Sequence, residues 1–350
     1  MTGGFFIGEK RKCLTITVPC YNSESYMERC IDSLLEGGKD VEIIVVDDGS
    51  TDRTGEIADG YAAQYPDIVR VVHKENGGHG SGVNVGMALA SGMYFKVVDS
   101  DDWLDKEAYH RLLAALRFWN RCENRPDLVV CNYVYDHLEE RTCKTVRYRN
   151  VFPEGKLCGW EETGRFRPEQ YLVMHALIYR TGVLYDSGVE LPEHTFYVDN
   201  LFANQPLPLV KRIYYMDIDL YHYYLGREDQ SVNEEVLIRR IDQQIRVTKL
   251  VSRCCDLSRV EVENPKLFKY LCRNISIMMA ISSIHLLLMG TKEGRLKRDE
   301  LWRDLKERDC RLYRMLRCRT VSGLTVLPGQ LGDRLTVGGY RAARRIWQFQ

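Results

Sequence analysis

Apolar residues follow two rhythms over the first 135 positions. Short runs rich in β-branched residues predict strands near residues 14–19, 41–47, 69–73, 93–98 and 128–135. Longer amphipathic stretches between them predict helices near 25–36, 53–65, 80–90 and 105–120. Residues 43–46 read Ile-Ile-Val-Val, an unbroken apolar run suited to a parallel strand covered on both faces. This alternation predicts an α/β fold on a mostly parallel sheet. From 140 to 225 the pattern is less regular. Short strands are expected at 212–216 and 220–224, with helices around 168–174 and 199–206. After residue 232 the chain becomes charged, helical and poor in Gly and Pro. Ile238, Ile241, Ile245 and Leu250 keep a loose 3.6-residue period there. A boundary near 232 therefore divides an α/β part, 1–232, from a C-terminal helical region, 233–350.

Three of the predicted strands end in chemistry. The run before residue 99 gives way to Asp99, Ser100, Asp101 and Asp102. Carboxylates this close repel one another and raise each other's pKa unless a cation lies between them. As hard oxygen donors they suit Mg²⁺ or Mn²⁺. The strand at 41–47 ends in Asp47 and Asp48 before the turn Gly49-Ser50-Thr51. The first strand ends at Pro19, followed by Cys20, Tyr21 and Asn22. In open α/β sheets ligands bind outside the carboxyl ends of the strands. One pocket would thus collect an aromatic face, a hydrogen-bonding carboxylate and a metal, which outlines a nucleotide-diphosphate site.

A glycine-rich turn, Asn76-Gly77-Gly78-His79-Gly80-Ser81-Gly82-Val83-Asn84-Val85-Gly86, opens the third helix. It imitates a dinucleotide fingerprint, but its third glycine is one residue late and it follows the third strand. A nicotinamide-dependent oxidoreductase needs its glycine triad after the first strand, where Pro19-Cys20-Tyr21-Asn22 has none. The turn is better read as a loop that lets backbone amides approach a phosphate or sugar.

The chain carries 49 basic and 49 acidic residues, so no overall field points to nucleic acid. Twelve scattered cysteines with no Cys-x-x-Cys pair predict free thiols in a cytoplasmic protein. Residues 1–12 lack an apolar core, so no signal peptide is expected. The uncharged stretch 274–291 is too short and too polar for a span and predicts a buried helix.

Taken in order, Thr17-Val18-Pro19-Cys20-Tyr21-Asn22, Asp47-Asp48-Gly49-Ser50, Asn76-Gly77-Gly78 and Asp99-Ser100-Asp101-Asp102-Trp103 resemble glycosyltransferase family 2. The likeness is strong over 13–105, weaker to about 233, and confined after that to subsets of bacterial members. It implies the GT-A fold and an inverting transfer from a nucleotide sugar. The donor half would be 13–105 and the acceptor half 106–232. Tyr21 would lie against the base, Asp48 would accept from a uracil ring, and Asp99 and Asp101 would be the ends of the Asp-x-Asp motif. Pro19, Asn22, Ser100 and the Asn76, Gly77 and Gly78 turn would line the nucleotide-sugar site.

Asp101 is the metal ligand the resemblance favours, for Mn²⁺ or Mg²⁺. Asp199 stands where the family places its base, with Val198 in place of the usual acidic neighbour. Asp199 also reads as an N-cap for the helix after it. Val83 beside Asn84 replaces an Arg common in the family, which makes Lys96 a further diphosphate candidate. Lys96 reads equally as a snorkelling surface lysine. His222 is a further metal candidate and also a structural histidine, while His175 and His194 are acceptor-site candidates. The segment Gln243-Gln244-Ile245-Arg246 lacks the Trp that follows in processive synthases, so transfer of a single sugar from UDP-sugar to a saccharide or lipid-linked acceptor is expected. The rival readings are a degenerate transferase kept as a binding subunit and a nucleotidyltransferase.

The tail from Arg334 mixes four arginines with Tyr340, Ile346, Trp347 and Phe349. On a helix, residues 340, 343, 346/347 and 350 share a side. That face predicts either docking on the body through Trp347 or peripheral association with an anionic membrane at its cytoplasmic side.

Overall fold

The computed structural model describes residues 12–137, 142–168, 170–226 and 234–347, with side chains to residue 342. Strands and helices alternate through the first half. They are β1 (Leu14–Cys20), α1 (Met27–Leu35), β2 (Val41–Asp47), α2 (Thr54–Gln64), β3 (Val69–His73), α3 (His79–Leu89), β4 (Tyr94–Val97), β5 (Trp103–Leu104) and α4 (Lys106–Trp119). Then come β6 (Leu128–His137), β7 (Thr142–Val146), β8 (Leu157–Cys158), β9 (Leu177–Arg180), α5 (Thr181–Ser187), α6 (Asp199–Asn204) and β10 (Ile213–Leu225). The rest is helical: α7 (Glu234–Arg239), α8 (Ile241–Val251), α9 (Leu257–Glu263), α10 (Pro265–Leu288), α11 (Lys292–Arg308), α12 (Cys310–Arg319) and α13 (Gly329–Trp347).

Among the described residues the strands form one mixed sheet in the order β3-β2-β1-β4-β9-β6-β10-β5. The first four neighbours are parallel, and β9 and β5 run antiparallel to theirs. The chain moves outward from β1 to β3 and then returns to place β4 on the other side of β1. That reversal opens a crevice at the carboxyl ends of β1 and β4, where ligands of open α/β sheets bind.

The glycines of α3 serve packing. A Cβ on Gly86 would meet Thr17 Oγ1 at 2.0 Å, and one on Gly82 would meet Pro19 Cβ at 2.9 Å. Helix α3 therefore lies directly on β1, which explains a glycine-rich turn without a dinucleotide.

Two expectations for the middle of the chain change. Among the described residues of 168–174 there is no α-helix; a short 3₁₀ turn at Met174–Ala176 follows irregular chain. Helix α10 binds that segment instead: Leu172 N–H donates to Tyr270 Oη at 2.8 Å, and Arg273 donates to the carbonyls of Arg167, Pro168 and Gln170. Tertiary hydrogen bonds thus satisfy backbone groups that a helix would have used. The two strands expected at 212–216 and 220–224 are the single β10, bulged between Met216 and Tyr221. Asn132 donates to both Asp217 and Asp219 there, at 2.8 Å each, which holds the irregular stretch in place.

Helix α10 is apolar enough to cross a membrane by composition, yet 72% of its most apolar window is buried inside the fold. It is a core helix. Its Tyr270 packs on Phe166 and Trp160, and its Asn274 donates to Asn204 of α6. One continuous apolar cluster runs from Cys13 to Leu316, so sheet and helical region share a core. All twelve cysteines are free thiols.

Candidate active site

The loops after β1, β2 and β4 are bound to one another. Asn22 adopts a positive φ of 49°, and its Oδ1 accepts from Thr51 N at 2.9 Å. Ser23 and Ser100 hydroxyls pair at 2.9 Å. Tyr21 is left 52% exposed beside them, an aromatic face open to a ligand. Pro19 lies under α3, as the Gly82 approach shows.

The two carboxylates after β2 divide their work. Asp47 accepts from Ser50 N at 3.0 Å and faces His73 Nδ1 at 2.9 Å. Burial would raise its pKa, but the Ser50 and His73 bonds outweigh burial and hold it low. Asp48 is almost fully buried and fastens the glycine turn. Its Oδ1 accepts from Lys74 Nζ at 2.7 Å and Gly77 N at 2.9 Å, and its Oδ2 from Gly78 N at 2.7 Å. Asn76 Nδ2 donates to the Asp48 carbonyl at 2.9 Å. A carboxylate has about four acceptor positions, so one remains for a further donor. Gly78 has φ 85°, which places its amide toward Asp48 where a side chain would be strained.

The carboxylates after β4 face a histidine that sequence reading passed over. His79, the first residue of α3, pairs through Nε2 with Asp99 Oδ1 at 2.8 Å. Burial would neutralise this imidazole, but the charge of Asp99, reinforced by Asp199 and Asp101, raises its pKa. Asp99 is lowered in turn: burial opposes ionisation, and His79, with His175 and Lys96, overcomes it. A histidine directly after Gly77-Gly78 at a helix start was the available signal.

Asp101 accepts through its carbonyl from Arg29 Nη2 at 2.8 Å, and the Arg29 guanidinium lies 3.9 Å above the Trp103 ring. Asp102 is fully buried, bonded by Tyr221 Oη and by Tyr224 N at 2.8 Å. Burial, then Asp101 and Asp99, push its pKa well up.

Lys96 is neither a surface lysine nor a group open to a phosphate. It is wholly buried, its ammonium donates to the His175 carbonyl at 2.6 Å, and it lies 4.9 Å over the Tyr221 ring. Burial lowers its pKa to about 8. His222 is not brought to the carboxylates either. Side chains alternate along β10, so Tyr221 and Tyr223 face His175 while His222 turns to the other side of the sheet. There it stacks on Trp103 and faces Asp136 Oδ2 at 3.1 Å. The histidine beside the carboxylates is His175: one ligand atom each from Asp99, Asp102 and His175 lie within 4.8 Å of one another.

Asp199 reaches the same crevice through a strained loop. His194 and Tyr197 have φ of 48° and 66°, unusual for residues other than glycine. His194 N–H donates to the Gly77 carbonyl at 2.6 Å, Ser81 Oγ to Glu193 at 2.9 Å, and Asn84 bonds Leu191 twice. From the other side α8 grips the loop. Phe196 N–H donates to Gln243 Oε1 at 2.8 Å, and Arg246 Nη1 to Thr195 Oγ1 at 2.9 Å. Asp199 opens α6 with its pKa raised by burial and by Asp99, against the pull of His79. The His194 side chain is exposed.

The comparisons with known proteins agree with this geometry. Residues 15–178 match the family model described as Glycosyl transferase family 2. Over 218 residues the chain is 32% identical to the uncharacterized glycosyltransferase EpsJ of Bacillus subtilis (strain 168), covering 60% of each chain. It thus spans 60% of the length of that relative. In fold it is similar to S. aureus TarS 1-349 in complex with UDP-GlcNAc, with a TM-score of 0.52 and 22% identity over 84% of this chain and 90% of that one. It is also similar to mannosyltransferase PcManGT from Pyrobaculum calidifontis in complex with GDP-Man and Mn²⁺, with a TM-score of 0.51 and 15% identity over 98% and 89%. The sheet order, the carboxylates at the crevice and these likenesses converge: residues 15–178 are similar to glycosyltransferase family 2, and the chain has a GT-A-like fold followed by a helical C-terminal region.

Proposed function

We propose that this protein is an inverting glycosyltransferase that moves one sugar from a UDP-sugar to a hydroxyl of a saccharide, lipid-linked or cell-surface polymer acceptor, with Asp199 as base. The observation that carries the reading is the placement of Asp199, its pKa raised, beside the Asp99–His79 pair. A carboxylate with a raised pKa is a better proton acceptor near neutral pH. Asp199 takes the proton of the acceptor hydroxyl as that oxygen attacks the anomeric carbon from the face opposite the leaving group. One displacement inverts the configuration. Tyr21 stacks on the base, and the remaining acceptor position of Asp48 meets the uracil N–H. His79, its pKa raised by Asp99, stands with the amides at the start of α3 on the side of the departing diphosphate.

The donor set suits a divalent cation: one ligand atom each from Asp99, Asp102 and His175 lie within 4.8 Å of one another, and the Nδ1 of His175 is buried with no hydrogen-bond partner. When bound, Mn²⁺ or Mg²⁺ would neutralise charge on the diphosphate. The nucleotide sugars bound by TarS and PcManGT, and the Mn²⁺ with the latter, support this reading. Residues 13–105 would form the donor half and 106–232 the acceptor half.

Calorimetry tests the donor side. UDP should bind the intact chain more tightly with Mn²⁺ than with EDTA, and Asp101→Ala should lose the difference. Equal affinities in the parental protein would refute metal-dependent UDP binding. A panel of UDP-sugars, read by hydrolysis and by the configuration of the product, then identifies the sugar.

We also propose a cytoplasmic location with peripheral attachment to an anionic membrane through the C-terminal region. The face we assign to it is not the one the tail sequence suggested. Tyr340 is turned to the body, donating to Glu234 at 3.2 Å and packing edge-on against His285. Leu331 and Leu335 of α13, with Val321 and Leu324 before it, are exposed instead, and Arg334 and Arg341 flank them. The side chains of Ile346, Trp347 and Phe349 lie outside the described residues.

A further inference from the structure

We propose that His175 is a nitrogen ligand of the divalent cation, set beside the Asp99 carboxylate at the end of β4. The inference rests on the metal-dependent reading above and names a ligand that no sequence motif carries. His175 lies in the 3₁₀ turn that leads into β9, far from the Asp-x-Asp segment in sequence.

Three observations converge on this residue. Its Nδ1 is shielded from solvent and has no hydrogen-bond partner, which is rare for a buried polar atom. Asp99, Asp102 and His175 are the one group of three such residues among those described whose ligand atoms converge within 4.8 Å. Asp102 accepts from Tyr221 Oη and Tyr224 N, and Asp99 faces His79 Nε2, so each carboxylate keeps acceptor positions for an ion. His175 is the nitrogen member of that group, beside the carboxylates of Asp99 and Asp102.

Finally, the imidazole is held in one orientation. Its ring stacks on Tyr221 at 4.6 Å and on Tyr223 at 4.8 Å, and Lys96 pins its carbonyl at 2.6 Å. Such fixing of a ring is what a metal ligand needs from its surroundings. It also gives buried Lys96 a purpose: it positions the ligand from beneath.

A nitrogen among oxygens has a consequence for the metal. Mg²⁺ prefers an all-oxygen set, whereas imidazole favours transition metals, so Mn²⁺ should bind more tightly than Mg²⁺.

The test is electron spin-echo modulation spectroscopy of the intact chain with Mn²⁺ and UDP. Modulation from a directly bound ¹⁴N is expected in the parental protein and in His79→Gln, the nearest other imidazole, and is expected to vanish in His175→Gln. Mn²⁺ affinity should fall about 10-fold or more in His175→Gln, while the weaker Mg²⁺ affinity changes little. Bound Mn²⁺ without nitrogen modulation in the parental protein overturns the inference and leaves the metal-dependent reading intact. Persistence of the modulation in His175→Gln also overturns it. Failure of the parental chain to bind Mn²⁺ with UDP overturns both. The parental arm needs no variant, so a misfolded substitution does not protect the proposal.

Discussion

His79 Nε2 lies 2.8 Å from Asp99 Oδ1, which joins the first residue of α3 to the carboxyl end of β4 across the crevice. The pair brings two motifs that are separate in sequence into one charged unit. Asp199, arriving on the loop after β9 and α5, enters the field of both groups.

The first test separates binding from chemistry at Asp199. Asp199→Asn preserves shape and removes the proton acceptor. Transfer should fall by roughly 10²-fold or more while UDP affinity persists. In the parental enzyme the rate should rise with pH through a point above the ordinary carboxylate range, because the raised carboxyl must first lose its proton. A parental transfer rate in Asp199→Asn removes this residue from the role.

The grip of α8 on the loop should matter for turnover more than for donor binding. Gln243 and Arg246 hold Phe196 and Thr195, just before Asp199. Arg246→Ala should lower kcat by about 10-fold with UDP affinity unchanged, since small displacements of a catalytic group are costly. Steady-state kinetics with calorimetry checks this, and an unchanged kcat would make the contact merely structural.

Stability should carry a pH signature from His73. Its bonds to Asp47 and Asp59 raise its pKa in the folded state. A raised folded pKa means the contribution is complete below the unfolded value, near 6.5, and is lost as pH rises through the folded value. The side chain is 48% exposed, so the effect is screened. The melting temperature should decline by about 1–2 °C over that window and should not do so in His73→Gln. Thermal melts from pH 6 to 8 report it, and identical slopes in the two proteins would refute it.

The proposed membrane attachment rests on the exposed face of α13. Leu331→Glu with Leu335→Glu should abolish flotation with anionic liposomes at low salt and leave the fold unchanged, because both residues are exposed. Equal flotation of variant and parent would move the contact elsewhere, and absence of flotation in the parent would end the proposal.

The sequence alone determined the alternation of the first 135 residues and the clustering of chemistry at strand ends. Those features follow from local periodicity: β-branched runs ending in Asp47, Asp48 and Asp99 read the same in any context. Tertiary structure decided what local pattern does not encode. Alternation along β10 tells that His222 and Tyr221 oppose each other, but only pairing with β6 and β5 decides which of them faces the crevice. His175 sits in no motif and reaches Asp99 only because β9 is inserted between β4 and β6. The segment 168–174 had the composition of a helix, and Tyr270 and Arg273, about a hundred residues later, took its backbone groups. Lys96 has the charge of a phosphate ligand, and its burial under His175 is settled by neighbours on other strands. Each of these outcomes depends on groups distant in the chain, whose closeness is a product of folding and not of spacing.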